Sequence, residues 1–143
     1  MTKTTKDTNT SKQRWLIYDA SEHILGRLAV DVAVKLMEKD LPTFDPTKDV
    51  DTHVIVINSK DIKYTGQKEE SKKYYRHSRY PGGLKTESLG ELQKKKPNEV
   101  IRRAVAGMLP KNRLQAMRLK RLHIYDDAKH GHASQKPQVV NLK

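Results

Sequence analysis

Aromatic and cationic side chains alternate within one seven-residue window of the chain, residues 74–80, which reads YYRHSRY. Tyrosine and histidine rings can stack on unpaired bases or pack on ribose, and arginine can bind a phosphate through two hydrogen bonds. Pro-Gly-Gly follows at 81–83, and glycines let a backbone approach a ligand closely. The pattern is typical of a loop that binds RNA. The alternative is an ordinary hairpin tip with Tyr74 or Tyr75 buried, and the flanking charge favours the binding loop.

The six histidines offer one candidate metal pair, His130 and His132, and the chain contains no cysteine. A catalytic zinc needs three protein ligands and further residues that orient them. This pair is separated by a glycine and has no cluster of carboxylates beside it in the sequence. We therefore favour a structural or RNA-facing role for these two histidines over a role as zinc ligands. His77 lies between Arg76 and Arg79, whose charges disfavour its protonation, so we expect it to stack or to donate a hydrogen bond.

Motifs that would support catalysis are missing from the sequence. It has no G-x-G-x-x-G, no G-x-x-x-x-G-K-[ST] and no G-x-S-x-G. An RNA-modifying enzyme would need a cofactor pocket at the carboxyl edge of its sheet, and the missing glycine-rich loop argues against one. We therefore predict no cofactor, no metal and no small-molecule substrate.

The positive charge is confined to the second half of the chain. Residues 1–70 carry 11 basic and 12 acidic residues, a net charge of −1, whereas residues 71–143 carry 18 and 5, a net charge of +13. The stretches 71–86 and 100–125 contain many cations and no acidic residue. So many cations in one domain repel one another unless a polyanion neutralises them, and phosphate backbones are the commonest polyanion. Nucleic acid is the predicted partner, and a merely solvated basic face is the alternative.

Hydrophobic periodicity in the first half predicts a strand, a helix and a second strand. Residues 15–18 form a short apolar run, and residues 24–37 place apolar side chains at three- and four-residue steps. The helix should end before Pro42, and residues 54–57 are an unbroken β-branched run typical of a strand covered on both faces. This order favours an α/β layered domain.

The second half predicts helices over 86–96, 98–109 and 111–121, then a strand over 123–125. At 143 residues the chain fits one domain, which we assign to residues 14–125. Residues 1–13 read as a flexible polar lead-in, and residues 126–143 as an extended tail that follows a partner's surface more than it packs. Cations cover almost every face of the helix over 111–121, so we expect them to face water or phosphate.

Three stretches closely resemble signatures of the bacterial large-subunit ribosomal protein L13 family: YYRHSRYPGGLK at 74–85, GMLPKNRL at 107–114 and HGHASQKP at 130–137. Residues 15–29 and 51–68 look like that family's opening strand and helix and its second strand region. The stretches occur in order with sensible spacing. After residue 114 the family commonly has Gly-Arg where this chain has Gln-Ala, so the resemblance assigns no individual contacts over 115–121.

The resemblance implies a three-layer α/β/α fold around a mainly parallel four-stranded sheet, and a non-enzymatic role in binding large-subunit ribosomal RNA and supporting subunit assembly. By motif, the implied RNA-facing residues are Arg76, His77, Arg79, Tyr80, Gly82, Gly83, Lys85, Lys111, Asn112, Arg113, His130, His132, Gln135 and Lys136. The charge pattern adds Arg102, Arg103, Lys120 and Arg121. Implied partners are that RNA and neighbouring ribosomal proteins.

The expected location is the large ribosomal subunit in the cytoplasm, and an organellar ribosome is also compatible with the sequence. Apart from glycine, no apolar run exceeds four residues, far short of the roughly 20 that span a bilayer, so we expect no membrane partner. The absence of cysteine fits a reducing compartment. A basic adaptor that binds acidic proteins, or regulates messages outside the ribosome, is the remaining alternative.

Overall fold

The computed structural model describes residues 13–141, so the predicted lead-in lies outside the described residues except for Gln13. Within this range the chain forms six strands, five α-helices and three short 3₁₀ turns. The elements are β1 (Arg14–Asp19), α1 (Leu25–Leu36), β2 (Thr52–Ile57), α2 (Lys68–Ser71), β3 (Lys73–His77), β4 (Leu84–Ser88), α3 (Leu89–Lys95), α4 (Pro97–Met108), α5 (Leu114–Lys120), β5 (Leu122–Ile124) and β6 (Gln138–Val139).

Four parallel strands form the central sheet in the order β5-β2-β1-β6. In the register, Leu16 on β1 lies opposite Val54 on β2, and Val54 lies opposite Leu122 on β5. The predicted α/β class with a mainly parallel four-stranded sheet is confirmed. None of the helices in residues 13–141 is long and apolar enough to span a bilayer.

One face of the sheet packs against helices and holds the main core. Leu16, Tyr18, Val54 and Val56 alternate with side chains of the opposite face and are fully or almost fully buried. Helix α1 contributes a buried stripe that follows the predicted three- and four-residue spacing, and α4 packs along α1. The helices therefore fix where the second half of the chain leaves the core.

The other face of the sheet carries a stack of aromatic rings and imidazoles. Trp15 on β1, His53 on β2 and His123 on β5 lie side by side, and the indole and His53 ring centroids are 4.1 Å apart. His132 from the C-terminal segment packs against both Trp15 and His123. The histidine spacing in the sequence did not indicate this stack, because its members come from four separate segments.

The helix predicted over 86–96 begins later, at Leu89, because residues 84–88 pair with β3 as an antiparallel strand. Ser88 then caps α3: its hydroxyl accepts from the Glu91 backbone N–H, and the Glu91 carboxylate accepts from the Ser88 N–H. This capping box marks the change from strand to helix. It also ties the base of the β3–β4 hairpin to the helical layer.

The C-terminal segment contributes to the sheet, since Gln138 and Val139 pair with Leu16 and Ile17 of β1. The sequence predicted an extended tail here and no strand. The scattered apolar residues gave no signal for a two-residue strand that is held mainly by backbone hydrogen bonds to β1. Residues 125–137 connect β5 to β6 and carry the HGHASQKP stretch.

Candidate nucleic-acid interface

The β3–β4 hairpin projects the predicted aromatic and cationic window into solvent. Arg76 lies opposite Lys85 in the antiparallel register, so the two cations share one face of the hairpin. On the opposite face Tyr75 is 64% exposed. Tyr74 alone within 74–80 is half-buried, and the remaining side chains of that window are exposed. The predicted aromatic and cationic window therefore lies on an exposed β-hairpin.

The tip of the hairpin is shaped by its own hydrogen bonds. Nδ1 of His77 accepts the backbone N–H of Arg79 at 2.8 Å, and Arg79 adopts a left-handed conformation with φ of 66°. The N–H of Gly83 donates to the Tyr80 carbonyl at 2.9 Å, and the Ser78 N–H donates to the Gly83 carbonyl at 3.1 Å. His77 thus accepts a hydrogen bond at Nδ1, and this contact shapes the loop. Tyr80 is left 76% exposed.

Three cations converge at this tip. Arg76, Arg79 and Lys85 line one cavity of about 440 Å³, together with His77 and Ser78. No carboxylate oxygen among residues 13–141 lies within 4.0 Å of these three cationic groups. Like charges held this close favour an anion between them, and arginine and lysine together suit a phosphate.

A second basic region lies between α4 and β5. Lys111, Asn112 and Arg113 are exposed in the connection that precedes α5. Arg102 on α4 and Lys120 on α5 line a shallow cavity of about 290 Å³ with His123 and Tyr125. The four cations of this region also form no ion pair in the described part of the chain: Arg102, Lys111, Arg113 and Lys120. They add to the positive surface that the sequence predicted.

Two predicted site residues have carboxylate partners within the chain. Nε of Arg103 donates to Glu99 at 2.8 Å, and its guanidinium carbon lies 5.3 Å from the Tyr74 ring centroid. Arg121 is bound through two nitrogens to the carboxylate of Asp49. The hydrogen bond to Arg121 lowers the pKa of Asp49, and that to Asp49 raises the pKa of Arg121.

The expectation that every cation over 111–121 faces water or phosphate is wrong at two positions. Arg121 is partly buried in its ion pair, and Arg118 is only 1% exposed. Seven residues of helix cannot present a cation on every side to solvent when one side packs on β5 and α4. The exposed cations at 111, 113 and 120 behave as predicted.

In the C-terminal stretch 130–137, the two histidines pack against other rings and the polar residues that follow them are exposed. The ring centroid of His132 lies 5.0 Å from that of Trp15 and 4.6 Å from that of His123. Part of the His132 ring surface is therefore in contact with these two rings. His130 is half-buried near Tyr125, whereas Gln135 and Lys136 are exposed. No group of three or more metal-ligating side chains capable of holding an ion occurs within residues 13–141.

Two features of the basic surface were missed by sequence reasoning. Lys72 and Arg103 both lie over the ring of Tyr74, at 5.4 and 5.3 Å from its centroid. Tyr75, which the site prediction omitted, is among the most exposed aromatic side chains. Strand alternation could have shown that Tyr74 and Tyr75 point to opposite faces, but the contact with Arg103 joins distant segments.

Comparison with known proteins gives one consistent result. The family model for "Ribosomal protein L13" matches residues 13–131. The "Large ribosomal subunit protein uL13" of Geobacillus kaustophilus is 46% identical over 135 residues, covering 94% of this chain and 93% of the relative. The protein of the same name in Aquifex aeolicus is 48% identical over 132 residues, covering 92% of each chain. That of Roseiflexus sp. is 48% identical over 128 residues, covering 90% of this chain and 88% of the relative.

The fold, the placement of the three signature stretches and these similarities agree over nearly the whole described chain. The resemblance that the motifs suggested is therefore confirmed. The chain belongs to the ribosomal protein L13 family.

Proposed function

We propose that the chain is a structural, non-enzymatic constituent of the large ribosomal subunit in the cytoplasm, where it binds large-subunit ribosomal RNA and contacts neighbouring ribosomal proteins. Family membership supports the ribosomal role. The single observation that carries the RNA-binding part is the hairpin tip, where Arg76, Arg79 and Lys85 surround one cavity without an internal counter-ion among the described residues.

The two basic regions act through phosphate neutralisation. The hairpin and the α4–α5 connection supply at least seven exposed cations, which the described carboxylates leave unpaired: Arg76, Arg79, Lys85, Arg102, Lys111, Arg113 and Lys120. If about six to eight phosphates are contacted, the slope of log affinity against log salt should be roughly −4 to −7. Tyr80, exposed at the tip, is placed to stack on an unpaired base.

The other residues that were predicted to face RNA have different roles in the proposed binding. Gln135, Lys136 and Asn112 are exposed and can donate to RNA. Gly82 and Gly83 shape the tip, and His77 sets its turn. Arg103 and Arg121 contact RNA only through the donors that Glu99 and Asp49 leave free, and His130 and His132 hold the tail.

A filter-binding titration of the full chain against transcribed large-subunit ribosomal RNA, over a range of salt concentrations, tests the proposal. The expected result is a steep negative slope of the size given above. A slope near zero would contradict the RNA-binding proposal. Co-sedimentation with isolated large subunits at moderate salt distinguishes a resident ribosomal protein from a basic adaptor, which would stay in the upper fractions.

A further inference from the structure

An apolar groove of about 370 Å³ lies between the first turn of α1 and the last turns of α4. Leu25 and Leu89 are buried at its base, and Tyr64, Ala104 and Met108 are among its walls. Gly26 on α1 and Gly107 on α4 both line the groove, and a Cβ at either position would meet no atom within 4 Å outside its own stretch of helix. The two glycines thus leave the groove open among the described residues.

Three cations surround the mouth of this groove: Lys68, Lys72 and Arg103. Arg103 is held in place, since Glu99 accepts from its Nε and the Tyr74 ring lies under its guanidinium. Only Nε is used in the ion pair, so both terminal nitrogens remain available. Glu69 is the acidic residue closest in sequence to Lys68, and its side chain is exposed. A fixed guanidinium plane is a suitable platform for a base or a phosphate.

The groove adjoins the proposed RNA-binding face of the hairpin through a shared lining residue, Arg103. Arg103 lines both this groove and the neighbouring cavity of about 400 Å³. Arg76 and Lys85 also line that cavity, where Glu87 and Glu99 are paired with Lys95 and Arg103. A polynucleotide that follows the cations of the hairpin therefore passes the mouth of the groove. The groove offers an apolar interior beside a charged entrance, the combination that a nucleotide presents in its base and phosphate.

We propose that one unpaired nucleotide of the bound RNA inserts its base into this groove, with its phosphate at Lys68, Lys72 and Arg103; the inference rests on the proposed function. The volume lies within the range of about 300–1,000 Å³ that holds small organic groups. RNA is read mainly through such unstacked bases, which pack on aromatic side chains and guanidinium planes. An apolar side chain of a protein would fill the interior but leave Lys68 and Lys72 without a counter-ion among the described residues.

The test fills the groove without changing any charge. Gly107→Leu and Gly26→Leu place a side chain into the groove from opposite walls, and both lie in helices where leucine is favoured over glycine. Val30→Phe on the exposed side of α1 is the matched control, because it adds similar apolar volume outside the groove. Each full-chain variant is titrated with transcribed large-subunit ribosomal RNA at one fixed salt concentration, and its thermal unfolding is measured.

We expect both glycine variants to lose about ten-fold in RNA affinity, the size typical of one lost base-stacking contact, with thermal unfolding no lower than wild type. Val30→Phe should bind like wild type. Wild-type affinity in both glycine variants would overturn the inference while leaving the proposed function intact. Unchanged RNA affinity with reduced incorporation into reconstituted large subunits would likewise overturn it and would assign the groove to a protein neighbour. Salt-independent binding by the wild type would refute the proposed function itself.

Discussion

The imidazole of His53 lies flat against the indole of Trp15, with ring centroids 4.1 Å apart and planes inclined by 8°. Nδ1 of His53 is 3.3 Å from Nε2 of His123, so one nitrogen of this pair donates while the other accepts. His132 then joins the two strands to the C-terminal segment. The stack therefore connects the sheet to the stretch that carries Gln135 and Lys136.

Acidification is expected to destabilise this stack. Burial lowers the pKa of both His53 and His123 below the ordinary value of 6.5, although Asp51 beside His53 acts in the opposite direction. The unfolded chain thus takes up these protons first, so their contribution to stability is complete above pH 6.5 and declines below it. Urea unfolding at pH 7.5 and 5.5 should show a lower midpoint at pH 5.5.

The double variant His53→Phe/His123→Phe is the control for this pH dependence. It keeps two stacked rings and removes the two titrating groups. The difference between the midpoints at pH 7.5 and 5.5 should shrink in this variant. An undiminished difference would assign the pH dependence to other histidines.

Sequence periodicity predicted the central fold because its core elements carry strong local signals. The eight apolar residues at three- and four-residue steps between 24 and 37 indicate a one-sided helix, and the run at 54–57 indicates a buried strand. Residues 86–88 were wrongly predicted as helix because their strand depends on pairing with β3, and β6 was missed because it depends on β1. Pairing with another segment leaves little trace in a strand's own sequence pattern.

The sequence predicted which cations are exposed at the candidate site better than it predicted which cations are paired with carboxylates. Exposed cations of the hairpin follow from the acid-free run 71–86. That Arg121 is bound by Asp49, 72 positions away, follows only from the path of the chain before β2. The groove beside Arg103 was likewise hidden, since α1 and α4 meet there through tertiary packing.

Replacing Arg118 with methionine should stabilise the protein. Arg118 is 1% exposed, and its Nε and Nη2 are buried without a hydrogen-bond partner among the described residues. Substituting a buried charge with an apolar side chain of similar length often stabilises by about 1–4 kcal/mol. We expect Arg118→Met to raise the free energy of unfolding in urea by at least about 1 kcal/mol.

Arg121→Met is the matched comparison, because Arg121 has a carboxylate partner in the same part of the fold. Its loss removes two charge-assisted hydrogen bonds and should lower the free energy of unfolding by about 1–3 kcal/mol. Destabilisation of similar size in Arg118→Met would show that the buried guanidinium is satisfied by ordered water.

Neutralising the hairpin should lower the salt dependence of RNA binding. Arg76→Gln/Lys85→Gln removes two opposed cations from exposed strands and should make the salt slope less steep by about 2. Lys39→Gln/Lys48→Gln removes the same charge from exposed positions before β2. Filter binding should show the wild-type slope for this control. An equal change in both double variants would mean that net charge alone, and not the hairpin, determines binding.

Arg113→Ala should weaken binding of large-subunit ribosomal RNA by about 1–3 kcal/mol, since a charge-assisted phosphate contact is lost. Arg113 is exposed before α5 and lacks a carboxylate partner among the described residues, so thermal unfolding should stay close to wild type. Parallel losses of affinity and of unfolding temperature would identify Arg113 as a structural residue.

The shape of the hairpin tip should matter as much as its charge. A Cβ at Gly83 would lie 2.0 Å from the Ser78 hydroxyl oxygen and 2.9 Å from the Tyr80 carbonyl oxygen, so the tip has to shift in Gly83→Ala. The serine side chain can rotate away, but the carbonyl accepts the Gly83 N–H and cannot move without opening the turn.

The tip is exposed and apart from the core, so we expect the free energy of unfolding to change by less than about 0.5 kcal/mol. RNA affinity should fall several-fold, and the amide resonances of residues 78–83 should shift. Thr86→Ala, on the same hairpin but away from the tip, should leave both affinity and these resonances unchanged. If Gly83→Ala shifts the resonances yet binds RNA like wild type, the cations at the tip need no particular geometry and act only through their charge.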